Sequence, residues 1–223
     1  MKKIEAYLEC VRCHKHYDLS QVRYNCECGG ILDLVRDLSQ VDGGELKALW
    51  ESRWGQKRGA ASSGVWRYKE LIFDLPDEQI VTRQEGNTRL YDAGKAGVYA
   101  GLRHFQLKHE GENPTGSFKD RGMTCGTTAA KFYNAKTVAC ASTGNTSASM
   151  ASYAAVSGME SVIFIPEGKI AYGKLAQALA YAADPRQFRR CDGACAGGLP
   201  RAQHLPPELD QPVPHRGAEG DRF

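Results

Sequence analysis

Hydrophobic and polar positions change texture along this chain, and the most regular stretch starts near residue 100. "LRHFQLKHE" alternates apolar and polar as a strand does, while "GMTCGTTAAKFYNA" has helical spacing. "TVACAS" predicts a buried strand, "SASMASYAAVSG" a helix ending at Gly158, "SVIFIPE" another strand and "AYGKLAQALAYAA" a third helix. Strands and helices in alternation predict an α/β fold, a parallel sheet flanked by helices. Ligands of such sheets bind in loops at the carboxyl ends of strands. Two loops rich in small and hydroxylated residues, 112–120 and 141–146, follow strands and precede helices.

The first hundred residues are less regular. "ELKALWESRW" (45–54) places Leu46, Leu49, Trp50 and Trp54 at helical spacing and then breaks at "GQKRGAASSG", the best linker candidate. Before it, Cys10-x-x-Cys13 and Cys26-x-Cys28 form two close pairs. Two short turns presenting four thiolates suit tetrahedral Zn²⁺, and a structural role follows because four sulfurs leave no open coordination position. Metal ligation would also stabilise a segment too short to hold a core. A redox pair or a chance cluster is the alternative, and His14 and His16 are expected to be solvated neighbours rather than ligands. The other four of the eight cysteines are scattered, as expected of thiols in a reducing compartment.

A hydrophobic content of 42% supports a real core, and a formal charge of +3 is too small to imply nucleic acid or an anionic membrane as partner. Glu5 and Glu9 interrupt any signal-peptide core, and no run reaches the roughly 18 apolar residues of a membrane span. A cytoplasmic protein is expected.

The chemistry is concentrated in the two loops. In "ENPTGSFKDRG" (112–122), Pro114 and Gly116 shape the turn, and Gly116 and Ser117 leave room for a ligand beside Lys119. A lysine reacts as a nucleophile only when its amine is unprotonated or held as an imine. Thr115 and Ser117 offer donors, and Asp120 places a carboxylate near a helix start. An ordinary surface lysine is the alternative. In "STGNTSAS" (142–149), backbone N–H groups and hydroxyls at a helix start form a cradle for a carboxylate. A capped helix is the alternative there.

Taken together, "NPTGSFKDRG" and "ASTGNTSAS" resemble the fold-type II pyridoxal-phosphate enzymes, and among them the threonine synthase family most closely. "EGNTRL" (85–90) resembles that family's "EGxTPL", with Arg89 where proline is usual, and "SGVWRYKELI" and "IPEGKIAYGKLAQALAY" are similar as well. The resemblance covers about residues 1–183, including an amino-terminal cysteine module found in some members. It implies that Lys119 carries pyridoxal 5'-phosphate as a Schiff base with Phe118 beside it. It further implies that Asn145 bonds the cofactor's ring oxygen, and that Ser142, Thr143 and Thr146 receive the substrate carboxylate. Thr88 and Lys169 are weaker candidates for substrate contact. The implied reaction converts O-phosphohomoserine and water to threonine and phosphate, a carbon–oxygen lyase chemistry, with a homodimer expected for an intact homologue. A related lyase or β-replacement enzyme (threonine dehydratase or cysteine synthase type) and a non-catalytic zinc-ribbon binding protein are the alternatives.

Residues 184–223 have another texture. They hold six of the nine prolines and no isoleucine, with no helical or strand periodicity. "GACAGG" (193–198) has glycines, but no strand is expected before it and no helix after it. Synonymous codons for His204 to Arg222, read one base later, can give "IYLLNSTSPFPIEGQKAI", similar to the "IYLxNSxNPFRxEGQK" stretch of threonine synthases. A frameshifted tail is therefore expected, and with it an incomplete, inactive enzyme, because the family's phosphate cradle lies in its carboxyl half. The expected layout is a zinc-ribbon-like module over 1–35, helix and linker over 36–64, an incomplete cofactor-binding α/β domain over 65–183, and the tail.

Overall fold

The computed structural model describes residues 4–166, with Ala176, Ala180, Tyr181, Phe188–Cys191 and Gln203–His204. At the amino end, β1 (Ala6–Cys10) pairs antiparallel with both β2 (His16–Tyr17) and β3 (Leu32–Arg36). The buried centre of this small sheet is Cys10, Tyr17 and Cys26, with Leu8 and Leu32 packed against it. So little apolar burial does not offset the entropy of ordering the segment. The module rests on the body through the Tyr133 hydroxyl, which donates to the Leu19 carbonyl at 2.5 Å, and through Arg36, which donates to the Ile72 carbonyl.

The predicted amphipathic helix is α1 (Gly43–Ser52), started by Asp42, whose carboxylate accepts from the Gly44 and Glu45 N–H groups. Within the stretch expected to be a linker, residues 60–64 form an ordered crossing. Ala60, Ser62 and Ser63 are buried, and the Gly64 N–H donates to the Glu85 carbonyl at 2.7 Å. A Cβ on Gly64 would lie 2.1 Å from the Asn87 amide nitrogen. Small residues stand here because two backbones touch, and composition alone does not separate that from flexibility.

β4 (Leu90–Asp92), α2 (Gly94–Tyr99) and β5 (Gln106–Lys108) follow. The alternation in "LRHFQLKHE" marks only three strand residues, all exposed, and β5 pairs antiparallel with β4 rather than joining a parallel sheet. The helix-and-strand order then holds as α3 (Lys119–Phe132), β6 (Thr137–Ala141), α4 (Asn145–Ser157) and β7 (Glu160–Pro166). β6 and β7 are parallel, from Thr137 opposite Glu160 to Ala141 opposite Phe164. Contrary to expectation no residue of β6 is buried, because it is the edge strand of its sheet. Gly158 ends α4 with φ at 71°, a left-handed cap that favours glycine.

The tail expectation needs one correction. β8 (Phe188–Cys191) runs parallel to β7, and β9 (Gln203–His204) pairs antiparallel with β8, so a strand does precede "GACAGG". Ladder pairing uses backbone groups, so it needs no side-chain alternation once β7 presents a free edge. The rest of residues 184–223 lies outside the described residues. So does most of the third predicted helix, of which Ala176, Ala180 and Tyr181 are helical. Among the described residues, no helix is long and apolar enough to cross a membrane.

Two cores support the loops. Ala148, Met150, Ala151 and Ile163 pack with Met123 and Val138 between α4, the sheet and α3. Ala60, Val65, Trp66, Leu75 and Ile80 pack with Phe73, Cys125 and Phe132 on the other side of α3.

Candidate active site

α3 begins at Lys119 and α4 at Asn145, so each loop delivers its distinctive residue at a helix start. Asp120, fully buried, joins the two. Its Oδ1 accepts from the Thr115 hydroxyl at 2.6 Å and from the Ser149 hydroxyl at 2.5 Å, and its Oδ2 accepts from the Thr115 N–H at 2.7 Å. One residue on from Lys119 and four on from Asn145 are thus in direct contact, which brings both loops to the same end of the helix pair. The sequence suggested that Asp120 faces the helix dipole and that Thr115 donates to a ligand. In the structure the carboxylate turns back to close the loop and accepts the Thr115 hydrogen bonds itself. Ser117 is likewise buried, its hydroxyl accepting from the Lys119 N–H at 3.2 Å.

Lys119 remains half-buried, its Nζ 4.6 Å from the centroid of the exposed Phe118 ring. Among the described residues no carboxylate or other acceptor holds that amine. Such an amine stands at a helix start beside an aromatic face, with no ion pair to break before it meets a ligand.

The asparagine loop is similarly open. Gly144 occupies the N-cap with no side-chain bond, so Thr143 and Thr146 do not cap α4. Asn145 is exposed, and among the described residues the side chains of Thr143, Asn145 and Thr146 have no hydrogen-bond partner. The Ser142 hydroxyl accepts from the Gly144 N–H at 3.2 Å. Free donors beside free backbone N–H groups at a helix N-terminus fit an anion such as a carboxylate.

Thr88 is placed differently from a residue free to touch substrate. It is buried, donates to Glu110 at 2.8 Å and receives Arg121 at 3.2 Å. Arg121 binds both Glu110 oxygens at 2.8 Å and, as the leading cause, holds the Glu110 carboxyl down at about 2. This fork ties α3 to the "EGNT" loop. Lys169 lies outside the described residues. Sequence reasoning missed Glu85, Glu110, Arg121, Ser149 and Tyr153. Hydroxyls four apart in the small-residue helix "SASMASYAA", Ser149 and Tyr153, were the available signal.

The cysteine cluster is a second candidate. Cys10, Cys13, Cys26 and Cys28 bring their sulfurs within 4.8 Å of one another, with Cys10–Cys28 and Cys13–Cys26 each at 3.5 Å. A Cβ on Gly30 would lie 2.6 Å from the Cys10 sulfur, so this position admits only glycine beside the cluster. The Tyr17 hydroxyl lies 3.0 Å from the Cys26 sulfur and is the main cause of a Cys26 thiol lowered to about 6. His14 and His16 face Glu9 at 2.7 and 3.2 Å and stand apart from the cluster, as expected.

A family model described as pyridoxal-phosphate dependent enzyme matches residues 81–208, more than half of the chain. The chain belongs to that family. It is 44% identical over 180 residues to a threonine synthase of Methanocaldococcus jannaschii, covering 81% of this chain and 42% of that protein. It is also 44% identical over 187 residues to a threonine synthase of Methanosarcina acetivorans, covering 82% of this chain and 42% of that one. The chain thus spans about two fifths of the length of these curated relatives. A solved maize serine racemase overlaps 49% of this chain and 32% of its own at 22% identity, with a TM-score of 0.44, too loose a likeness to add to the argument.

Proposed function

We propose that this chain carries the lysine half of a threonine synthase site, with Lys119 as the anchor of pyridoxal phosphate. The observation that supports the proposal is the Asp120–Ser149 contact, which joins the lysine loop to the helix that starts at Asn145. The residues fit the cofactor: Lys119 offers a free amine, Phe118 an exposed ring, and Asn145 an amide for the ring oxygen. When bound, the cofactor withdraws electrons from the substrate carbon skeleton. The chain's own residues orient and protonate. Ser142, Thr143, Thr146 and the α4 N-terminus would hold the substrate carboxylate, and the Lys119 amine would hold and move protons beside it. The reaction assigned is O-phosphohomoserine plus water to threonine plus phosphate, in the class of carbon–oxygen lyases, with a homodimer for the intact form.

The proposal includes a structural Zn²⁺ on Cys10, Cys13, Cys26 and Cys28, in a zinc-ribbon-like fold. Four sulfurs at these separations fit a tetrahedron of ~2.3 Å bonds. It also keeps the shifted frame for residues 184–223, on the strength of their composition.

The test is to sequence the coding DNA from the Ala180 codon onward and assay the chain and any frame-restored form with O-phosphohomoserine. The restored form is expected to yield phosphate and threonine in equal amounts. Keto acid or cysteine as product would replace threonine synthase with the related activities. A confirmed frame with no family-like continuation would remove the account of the tail.

A further inference from the structure

Helix α4 is buried from Ser147 to Ala154, so its hydroxyls must find partners inside the protein. Two of them, Ser149 and Tyr153, stand one turn apart and each meets a fully buried carboxylate. Ser149 donates to Asp120 of the lysine loop, as described. The Tyr153 hydroxyl donates to Glu85 Oε2 at 2.6 Å. Glu85 opens the "EGNT" stretch and gathers that loop around itself. Its Oε1 accepts from the Ser63 hydroxyl at 2.5 Å and the Thr82 hydroxyl at 3.0 Å, and its Oε2 accepts from the Arg83 N–H at 3.0 Å. The "EGNT" loop is then passed on to the lysine loop, because the Gly86 N–H donates to the Asn113 side-chain oxygen at 2.9 Å.

We propose that Asp120 and Glu85 are positioning residues, and that Ser149 and Tyr153 make α4 the common gauge that sets the lysine loop, the asparagine loop and the "EGNT" loop relative to one another. The inference rests on the assignment of Lys119 as the cofactor anchor and adds what holds it in place. A carboxylate that collects donors from two segments fixes their separation more tightly than apolar packing, because each bond is directional and a lost partner leaves charge buried. Two such carboxylates, met by hydroxyls one turn apart on one face of α4, constrain its rotation as well as its distance. Lys119, bonded through its neighbour Asp120, and Asn145, at the start of α4, therefore move together or not at all. A loop displaced by a fraction of an ångström would leave the amine present but misplaced for the ring that Asn145 holds.

The experiment uses the full chain incubated with pyridoxal phosphate and reduced with borohydride, followed by peptide mapping of the label. The ratio of label on Lys119 to label on the exposed Lys131 is read. Ser149→Ala and Tyr153→Phe each delete one hydroxyl facing a carboxylate. Thr127→Val serves as the control, since among the described residues its buried hydroxyl bonds only within α3, to the Met123 and Thr124 carbonyls. Ser149→Ala and Tyr153→Phe are expected to lower the ratio roughly tenfold each, the loss that one charge-assisted hydrogen bond represents. Thr127→Val is expected to lower the thermal midpoint and leave the ratio unchanged. If Ser149→Ala fails to fold, Tyr153→Phe decides alone. Ratios unchanged in both variants, or lowered equally by Thr127→Val, would overturn the positioning role while leaving Lys119 as anchor. A wild-type ratio near one would remove the anchor itself, and the inference with it.

Discussion

Removing the zinc proposed for the cysteine cluster is expected to unfold residues 4–36 and leave α3 and α4 folded. The module's buried side chains are Ile4, Cys10, Tyr17 and Cys26, two of them in the proposed ligand set, so little apolar burial remains once the thiolates are released. Zinc binding by comparable small domains supplies about 10–16 kcal/mol, which is also their folding energy. Metal analysis is expected to find one zinc per chain, and a thiol-competing chelator to remove it. Hydrogen exchange should then show protection lost across β1 and β3 and kept in α4. Cys10→Ser should reproduce the loss without chelator. A metal-free chain with full protection at β1 would show that hydrogen bonds and docking through Tyr133 suffice.

The next largest effect is expected at Trp66, which belongs to neither candidate site. Its side chain is fully buried among Val65, Leu75 and Ile80, and its indole N–H donates to the Thr124 hydroxyl at 2.7 Å. That hydroxyl in turn donates to the Val81 carbonyl at 2.6 Å. The pair couples the irregular amino-terminal segment to the helix that starts at Lys119. Trp66→Ala should cost about 3–5 kcal/mol, from lost burial and the cavity left behind. Trp66→Phe keeps most of the ring and should cost nearer 1 kcal/mol for the hydrogen bond. Urea unfolding of the two variants separates packing from hydrogen bonding. Equal costs would mean that the indole N–H, rather than the ring, carries the stability.

Much of this was legible before any coordinates, for identifiable reasons. β7, α4 and the stop at Gly158 follow from apolar periodicity and a left-handed cap, which are local properties. The lysine and asparagine loops stood out because small hydroxylated residues crowd around one amine and one amide. Contacts between distant segments were not legible. The run that ends at Gly64 reads as a linker in the sequence, although the missing Cβ of Gly64 makes room for Asn87. Asp120 was assigned to its own helix, although its partners are Thr115 and Ser149. Glu85 was quoted within a motif without a role, because Ser63 and Tyr153 are 22 and 68 residues away. β8 was missed because backbone pairing with β7 leaves no signature in "FRRC".

The central claim is that Lys119 is set apart chemically from the other lysines of this chain. It is tested most directly by titrating the wild-type chain with pyridoxal phosphate, reducing it, and locating the label by peptide mass. The account predicts one dominant modified peptide, containing Lys119, and loss of that peptide alone in Lys119→Ala. Label spread evenly over the exposed lysines, with Lys119→Ala no different from wild type, would contradict it.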